Sequence, residues 1–277
     1  MTDDDHELAR ELAEDAGRRL LELRASGGEP DVLRKAGDRL SHEFLVAALA
    51  DRRPGDIVLS EEAADDPARL AAKRVWIVDP LDGTREFGEP GRTDWAVHVA
   101  LWERDDAEGG GELTAGAVAL PGQGYVLSTG ANQAGRANQA GRADGAAPAG
   151  GAASGAGRGR GDQRLRVVVS RTRAPRFVRD ISDLIDVELV PLGSAGAKVA
   201  AVVSGEADAY IHGGGFYEWD TAAPVAVARA AGFHASRIDG AALAYNQSDL
   251  LMPDILVCRP ALAGSLLQAI REVTHAS

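Results

Sequence analysis

Leu8, Leu12, Ala16, Leu20 and Leu23 return every three or four residues, which predicts an amphipathic helix with one apolar stripe and charge on its other side. Leu40, Phe44 and Ala47 or Ala48, with Leu45 and Leu49 beside them, predict a second such helix. Pro54-Gly55 breaks that pattern, and the short apolar runs at 57–59 and 75–78 then read as strands. From Trp95 to Trp102 the apolar residues are nearly continuous, as in a strand covered on both faces. Further strands are predicted at 115–120, 125–128, 165–169, 187–190, 207–211 and 255–258. Helices are predicted at 195–203, 221–231 and roughly 261–273. The mixture of both element types points to a layered α/β architecture with two sheets.

Residues 130–161 have a different character. The hexapeptide Ala-Asn-Gln-Ala-Gly-Arg occurs twice in tandem, at 131–136 and 137–142, and a Gly/Ala/Arg-rich tract follows. Almost no large apolar side chain is present to offset the entropy of ordering, so the segment reads as a disordered surface insertion. It separates an expected N-terminal part, 1–129, from an expected C-terminal α/β half, 162–277, packed on the first.

Composition narrows the class. The chain has 277 residues, 45% hydrophobic and 26% charged, enough for one large soluble domain or two closely packed halves. Its 30 basic and 42 acidic side chains give a net charge of −12, which argues against a nucleic-acid polymer or an anionic membrane as the main partner. The single cysteine, Cys258, excludes an intrachain disulfide and a Cys-rich metal site. The start, Met-Thr-Asp-Asp-Asp-His, lacks the form of a secretory signal, and no apolar run approaches the roughly 20 residues of a membrane span. The cytoplasm is the expected compartment.

The densest acidic signal is Asp79-Pro80-Leu81-Asp82-Gly83-Thr84, directly after the 75–78 strand. Pro-x-Asp-Gly is a good turn sequence, so a turn with two solvated carboxylates explains it equally well. Asp79 and Asp82 can nevertheless converge, and with the Leu81 carbonyl they offer three oxygens to a hard cation such as Mg²⁺. The backbone N–H groups of Gly83 and Thr84 could then meet a phosphate. Glu61-Glu62 alone reads as a solvated strand end, while Asp220 and Asp38 could each simply cap the helix that follows. No G-x-S-x-G, H-E-x-x-H or P-loop competes with this reading. Cys258, His98 and His212 lie in predicted strands and read as core or rim residues, as do Trp76, Trp95 and Trp102; Trp219 neighbours Asp220.

Taken in order, Lys35-x-x-Asp38, Glu61-Glu62, the segment 79–84 and Trp219-Asp220-x-Ala222-Ala223 resemble the inositol monophosphatase-like superfamily of Mg²⁺-dependent, Li⁺-sensitive phosphatases. The resemblance spans nearly the whole chain outside 130–161. Within the superfamily the chain is closest to the CysQ-like 3′(2′),5′-bisphosphate nucleotidase group, through Val58-Leu59-Ser60-Glu61-Glu62, Gly83-Thr84-Arg85-Glu86-Phe87 and Lys198 ahead of Gly205. The stretch 193–198 departs from that group's usual double serine.

The resemblance implies an αβαβα sandwich and a metal-dependent phosphomonoesterase. Its expected substrate is adenosine 3′,5′-bisphosphate, cleaved to AMP, with the sulfated form as a second substrate and a link to sulfate assimilation. Inositol monophosphatase, fructose 1,6-bisphosphatase and a non-catalytic nucleotide- or metal-binding regulator are the alternatives. By position, Glu61, Asp79 and the Leu81 carbonyl would hold one Mg²⁺, and Asp79, Asp82 and Asp220 a second, with a third near Glu61. Thr84 with Asp38 would activate the attacking water, Gly83 and Thr84 would receive phosphate oxygens, and Ser194 and Lys198 would face the nucleotide. Family members are commonly homodimers. The expected partners are thus a small phosphorylated substrate and a second copy, with no nucleic acid and no membrane.

Overall fold

Two long helices open the chain, α1 (Asp5–Ala25) and α2 (Pro30–Arg52), in a computed structural model that describes residues 4–105, 110–130, 164–172, 174–182 and 184–275. α1 buries the expected stripe of Leu8, Leu12, Ala16 and Leu20. α2 starts well before Leu40, because Pro30 in its first turn presets the helical φ. Its buried line is Leu33, Gly37, Ser41, Leu45 and Leu49. Gly37 and Ser41 are small or polar, so the apolar period fades just where the helix begins. Asp38 therefore sits inside α2 and does not cap it, which corrects the capping alternative.

The first sheet contains β1 (Ile57–Ser60), β2 (Arg74–Asp82), β3 (Ala96–Asp105), β4 (Gly110–Leu120) and β5 (Tyr125–Ser128), in that spatial order. β1 and β2 are parallel and the remaining pairs antiparallel. After β2 comes the single-turn helix α3 (Thr84–Gly88). The second sheet is built from β6 (Leu165–Ser170), β7 (Val187–Leu192), β8 (Ala209–His212), β10 (His234–Ser236) and β12 (Ile255–Cys258), ordered β10-β12-β8-β6-β7. A two-residue ladder joins β9 (Phe216–Tyr217) to β11 (Leu251–Met252). The remaining helices are α4 (Arg176–Ile181), α5 (Ala195–Val203), α6 (Glu218–Ala230) and α7 (Pro260–His275).

Three hydrophobic clusters show how the layers stack. Leu8, Leu20 and Leu45 of α1 and α2 pack on Trp76, Val97 and Leu101, one face of the first sheet. Val199 and Val202 of α5 and Ala222 and Val225 of α6 fill the space between Val75, Ile77 and Val118 of the first sheet and Val168 and Val257 of the second. Val178 of α4 and Leu266 and Ile270 of α7 cover Val167, Ile211 and Leu256 on the outer face of the second sheet. Both sheets are thus covered on both sides, which explains the nearly continuous apolar run of β3 and makes the expected αβαβα sandwich.

Differences from the sequence reading have local causes. α6 begins at Glu218, not Thr221, and Asp220 lies inside its first turn. β9, β10 and β11 have two or three residues, too few to carry a period of two. α3 and α4, with five and six residues, are likewise shorter than two helical turns. From Ala131 on, the expected insertion lies outside the described residues. Among the described residues no helix is long and apolar enough to cross a membrane.

Candidate active site

The acidic segment owes its geometry to one extra residue in β2. Asp79 pairs with His98 and Asp82 with Ala96, so three steps along β2 answer two along β3. This is a β-bulge, and Pro80, which has no N–H for the ladder, lies within it. In a regular strand residues three apart point to opposite faces. Here Val75 and Ile77 face the central helices while Trp76 and Val78 face α1 and α2. Beyond the bulge it is Leu81 that joins the α1–α2 side, which leaves Asp82 on the same side as Asp79. The Leu81 N–H donates to Asp79 Oδ1 at 3.0 Å, fixing the turn.

α5 and α6 complete the group. Asp220 is the third residue of α6, and its Oδ2 accepts the Tyr217 N–H at 2.6 Å, closing the helix start from within. Oxygens of Asp79, Asp82 and Asp220 lie within 4.8 Å of one another, a group able to hold a metal ion. Asp82 Oδ2 accepts the Gly196 N–H from the first turn of α5 at 2.8 Å, and His98 Nε2 lies 3.2 Å from the same oxygen. The other ring nitrogen of His98 donates to the Trp219 carbonyl at 3.1 Å, so this buried histidine ties Asp82 to the residue before Asp220. A Cβ on Gly196 would fall 2.3 Å from His98 Nε2, and only glycine allows that approach.

Concentrated negative charge governs these carboxyls. Burial pushes Asp79 well above the ordinary carboxylate range, and Glu61, Asp82 and Asp220 push it further. Burial and the charge of Asp82 raise Asp220 to about 6. Glu61 follows the end of β1 and stands outside the triangle, but within hydrogen-bonding reach of Asp79. Loss of surrounding water, then the Asp220, Asp82 and Glu62 charges, raise it to about 7. Asp82 is the exception: burial acts to raise it, but His98, Lys198 and the Gly196 N–H more than offset this and hold it low. A set of hard oxygens held together against their own repulsion suits a hard divalent cation.

Asp38, carried on α2, stands 3.2 Å from Thr84 Oγ1, which also reaches the Leu81 carbonyl oxygen at 3.0 Å. Burial, with the Glu62 charge, raises the Asp38 carboxyl to about 6. Gly83 adopts φ +85°, where a side chain is strained, and a Cβ there would come 3.1 Å from that of Ser194. Glycine therefore lets the start of α5 close on the acidic turn. Ser194 caps α5, its Oγ accepting the Ala197 N–H at 2.8 Å. Lys198 is buried, donates to the Gly193 carbonyl and lies 5.3 Å from the centre of the Tyr210 ring; burial lowers its pKa.

These residues open onto a cleft of about 620 Å³, whose walls include Asp82, Gly83, Thr84, Ser194, Lys198 and Asp220. The structure also brings to it residues that sequence reading left without a role. Arg171, just after β6, binds Glu86 at 2.6 Å and Glu89 at 2.9 Å, joining α3 to the second sheet. Asp94 pairs with Arg92 and accepts the Gly193 N–H at 2.7 Å. Their only advance signal was Glu86 within Gly83-Thr84-Arg85-Glu86-Phe87; nothing along the chain linked it to Arg171.

Comparison with known proteins sets this geometry in a family. The model of the inositol monophosphatase family matches residues 5–275. A 3′-phosphoadenosine 5′-phosphate phosphatase of Mycobacterium leprae (strain TN) is 49% identical over 275 residues, covering 97% of this chain and 94% of that protein. Among solved structures, CysQ from Bacteroides thetaiotaomicron aligns with a TM-score of 0.69 at 25% identity, over 92% of this chain and 97% of that one. Inositol monophosphatase-II from Staphylococcus aureus MSSA476 shares the fold, with a TM-score of 0.73 at 20% identity over 96% and 95% of the two chains. The likeness runs through both sheets and every helix that supplies a carboxylate, and the chain belongs to the inositol monophosphatase family.

Proposed function

We propose that the protein is a Mg²⁺-dependent phosphomonoesterase that removes the 3′-phosphate of adenosine 3′,5′-bisphosphate, giving AMP and phosphate. The observation that carries the chemistry is the meeting of Asp79, Asp82 and Asp220 beside Thr84 and an open cleft. The choice of substrate is supported by the 49% identity to a phosphatase named for that nucleotide. The sulfated nucleotide is a second expected substrate, with a role in sulfate assimilation, and Li⁺ is an expected inhibitor.

The donor set fits the proposed metal. Asp79, Asp82, Asp220 and the Leu81 carbonyl would hold Mg²⁺, with Glu61 completing a second position beside Asp79. When bound, Mg²⁺ neutralises the acids and supplies Lewis acidity toward the ester oxygens and a nearby water. The Thr84 hydroxyl, 3.2 Å from Asp38, would orient that water and pass a proton to Asp38, whose raised carboxyl suits a general base working near neutrality. The N–H groups of Gly83 and Thr84 would bind oxygens of the scissile phosphate. Ser194 would contribute chiefly by fixing α5, since its hydroxyl is engaged in the cap, and Lys198 would set positive charge behind the substrate.

The test is phosphate release from adenosine 3′,5′-bisphosphate, inositol 1-phosphate and fructose 1,6-bisphosphate, each with and without Mg²⁺ and Li⁺. The reading expects the nucleotide to be cleaved fastest, only with Mg²⁺, and more slowly with Li⁺. Preference for inositol 1-phosphate would replace the substrate, and undiminished turnover in excess chelator would remove the metal.

A further inference from the structure

Three cationic side chains line the cleft: Arg85, Arg171 and Lys198. Two of them are already balanced by the protein. Arg171 spreads its guanidinium over Glu86 and Glu89, so that group carries a net charge of 1 − 2 = −1. Lys198 is buried, with its ammonium on the Gly193 carbonyl and Asp82 and Asp220 nearby. Arg85 differs from both. It is exposed, follows directly after Thr84 in α3, and among the described residues has no ion-pair partner. A guanidinium free on the wall of a cleft has its planar fork available for a tetrahedral oxyanion.

We propose that Arg85 is a specificity-determining residue that receives the phosphate not cleaved, so that the cleft prefers a nucleoside carrying two phosphates to one carrying a single phosphate. The inference rests on the phosphomonoesterase reading above. The scissile phosphate would be met by the metal ligands and by the Gly83 and Thr84 N–H groups. The retained phosphate brings about two further negative charges into a cleft whose acids outnumber its uncommitted bases. Without a cation at that place it would be repelled by the net negative charge of the Glu86, Glu89 and Arg171 group. Arg85 is attached to the same short helix that begins with Thr84, so the two phosphate contacts are held at a fixed separation.

The experiment compares kcat/KM for adenosine 3′,5′-bisphosphate and adenosine 3′-monophosphate in wild type, Arg85→Ala and Arg85→Lys. Arg85→Ala is expected to lower the bisphosphate-to-monophosphate ratio by about tenfold or more, mainly through the KM of the bisphosphate, and Arg85→Lys to restore part of it. As a second readout, inhibition by the product AMP, which keeps the 5′-phosphate, should weaken by a similar factor while inhibition by inorganic phosphate does not. A wild type that cleaves the bisphosphate preferentially and an Arg85→Ala variant with the same ratio would overturn the role of Arg85 alone. Equal loss on both substrates would also overturn it, by assigning Arg85 to cleavage or folding. A wild type that does not cleave the bisphosphate would instead sink the functional reading.

Discussion

The triad Asp79, Asp82 and Asp220 reaches the cleft through Asp82 and Asp220, a second acidic group, Glu86, Glu89 and Asp94, reaches it through Glu86, and the protein treats the two oppositely. Arg171 binds Glu86 and Glu89, and Arg92 binds Asp94. The hydrogen bond from Arg171 holds Glu89 below its ordinary pKa. In the first group no arginine approaches among the described residues; His98 and Lys198 act on Asp82, while Asp79, Asp220 and Glu61 are all driven upward. Acids matched by arginine hold segments together. Acids crowded without such a match store repulsion that an added cation relieves. The second kind identifies a site more reliably than the number of carboxylates does.

This contrast can be broken experimentally, starting with its unmatched side. Asp82→Asn keeps an oxygen for the Gly196 N–H but removes a charge from the triad. We expect a loss of about a hundredfold or more in turnover, with an unchanged circular dichroism spectrum. Near-normal phosphate release would end the metal assignment. A related effect is read without catalysis: Mg²⁺ at 100 times its Kd should stabilise the wild type by about 2.7 kcal/mol, seen as a rise in Tm at constant ionic strength. Asp79→Asn should lose most of that rise, and Arg171→Ala should keep it.

The matched side responds in stability. Arg171→Ala strands the buried Glu86 and should cost about 2 kcal/mol in denaturant unfolding, less than a fully buried pair because Arg171 and Glu89 are partly exposed. The mildest change is Glu89→Gln, which leaves the Glu86–Arg171 bond in place and should cost under ~1 kcal/mol. If Arg171→Ala were silent in unfolding while Glu89→Gln abolished Mg²⁺ stabilisation, the division into two kinds of acid would be wrong.

What could be read in advance follows the range of the interactions. The segment 79–84 is local: a strand, a proline, a glycine and two acids within six positions disclose a turn that gathers oxygens. The helices and strands of the three cores carry their own periods, and so the layers were legible. The start of α2 was not, because Gly37 and Ser41 occupy its buried face. Gly37 is small for a reason, since a Cβ there would fall 2.8 Å from the Phe87 ring. The contacts His98–Asp82 and Arg171–Glu86 were hidden for another reason. His98 reads like any residue of a buried strand, and Arg171 and Glu86 lie 85 positions apart, beyond the reach of any periodic signal.

The bulge in β2 works as a change of parity. Odd-numbered positions of the strand look toward the central helices before it, and even-numbered ones after it. Were all four residues from Asp79 to Asp82 paired one for one with β3, the second acid would turn the other way, among Trp76, Phe87 and Trp95, into a layer of oil. The site's chemistry therefore depends on where a strand miscounts by one, and a catalogue of its side chains alone would overlook this.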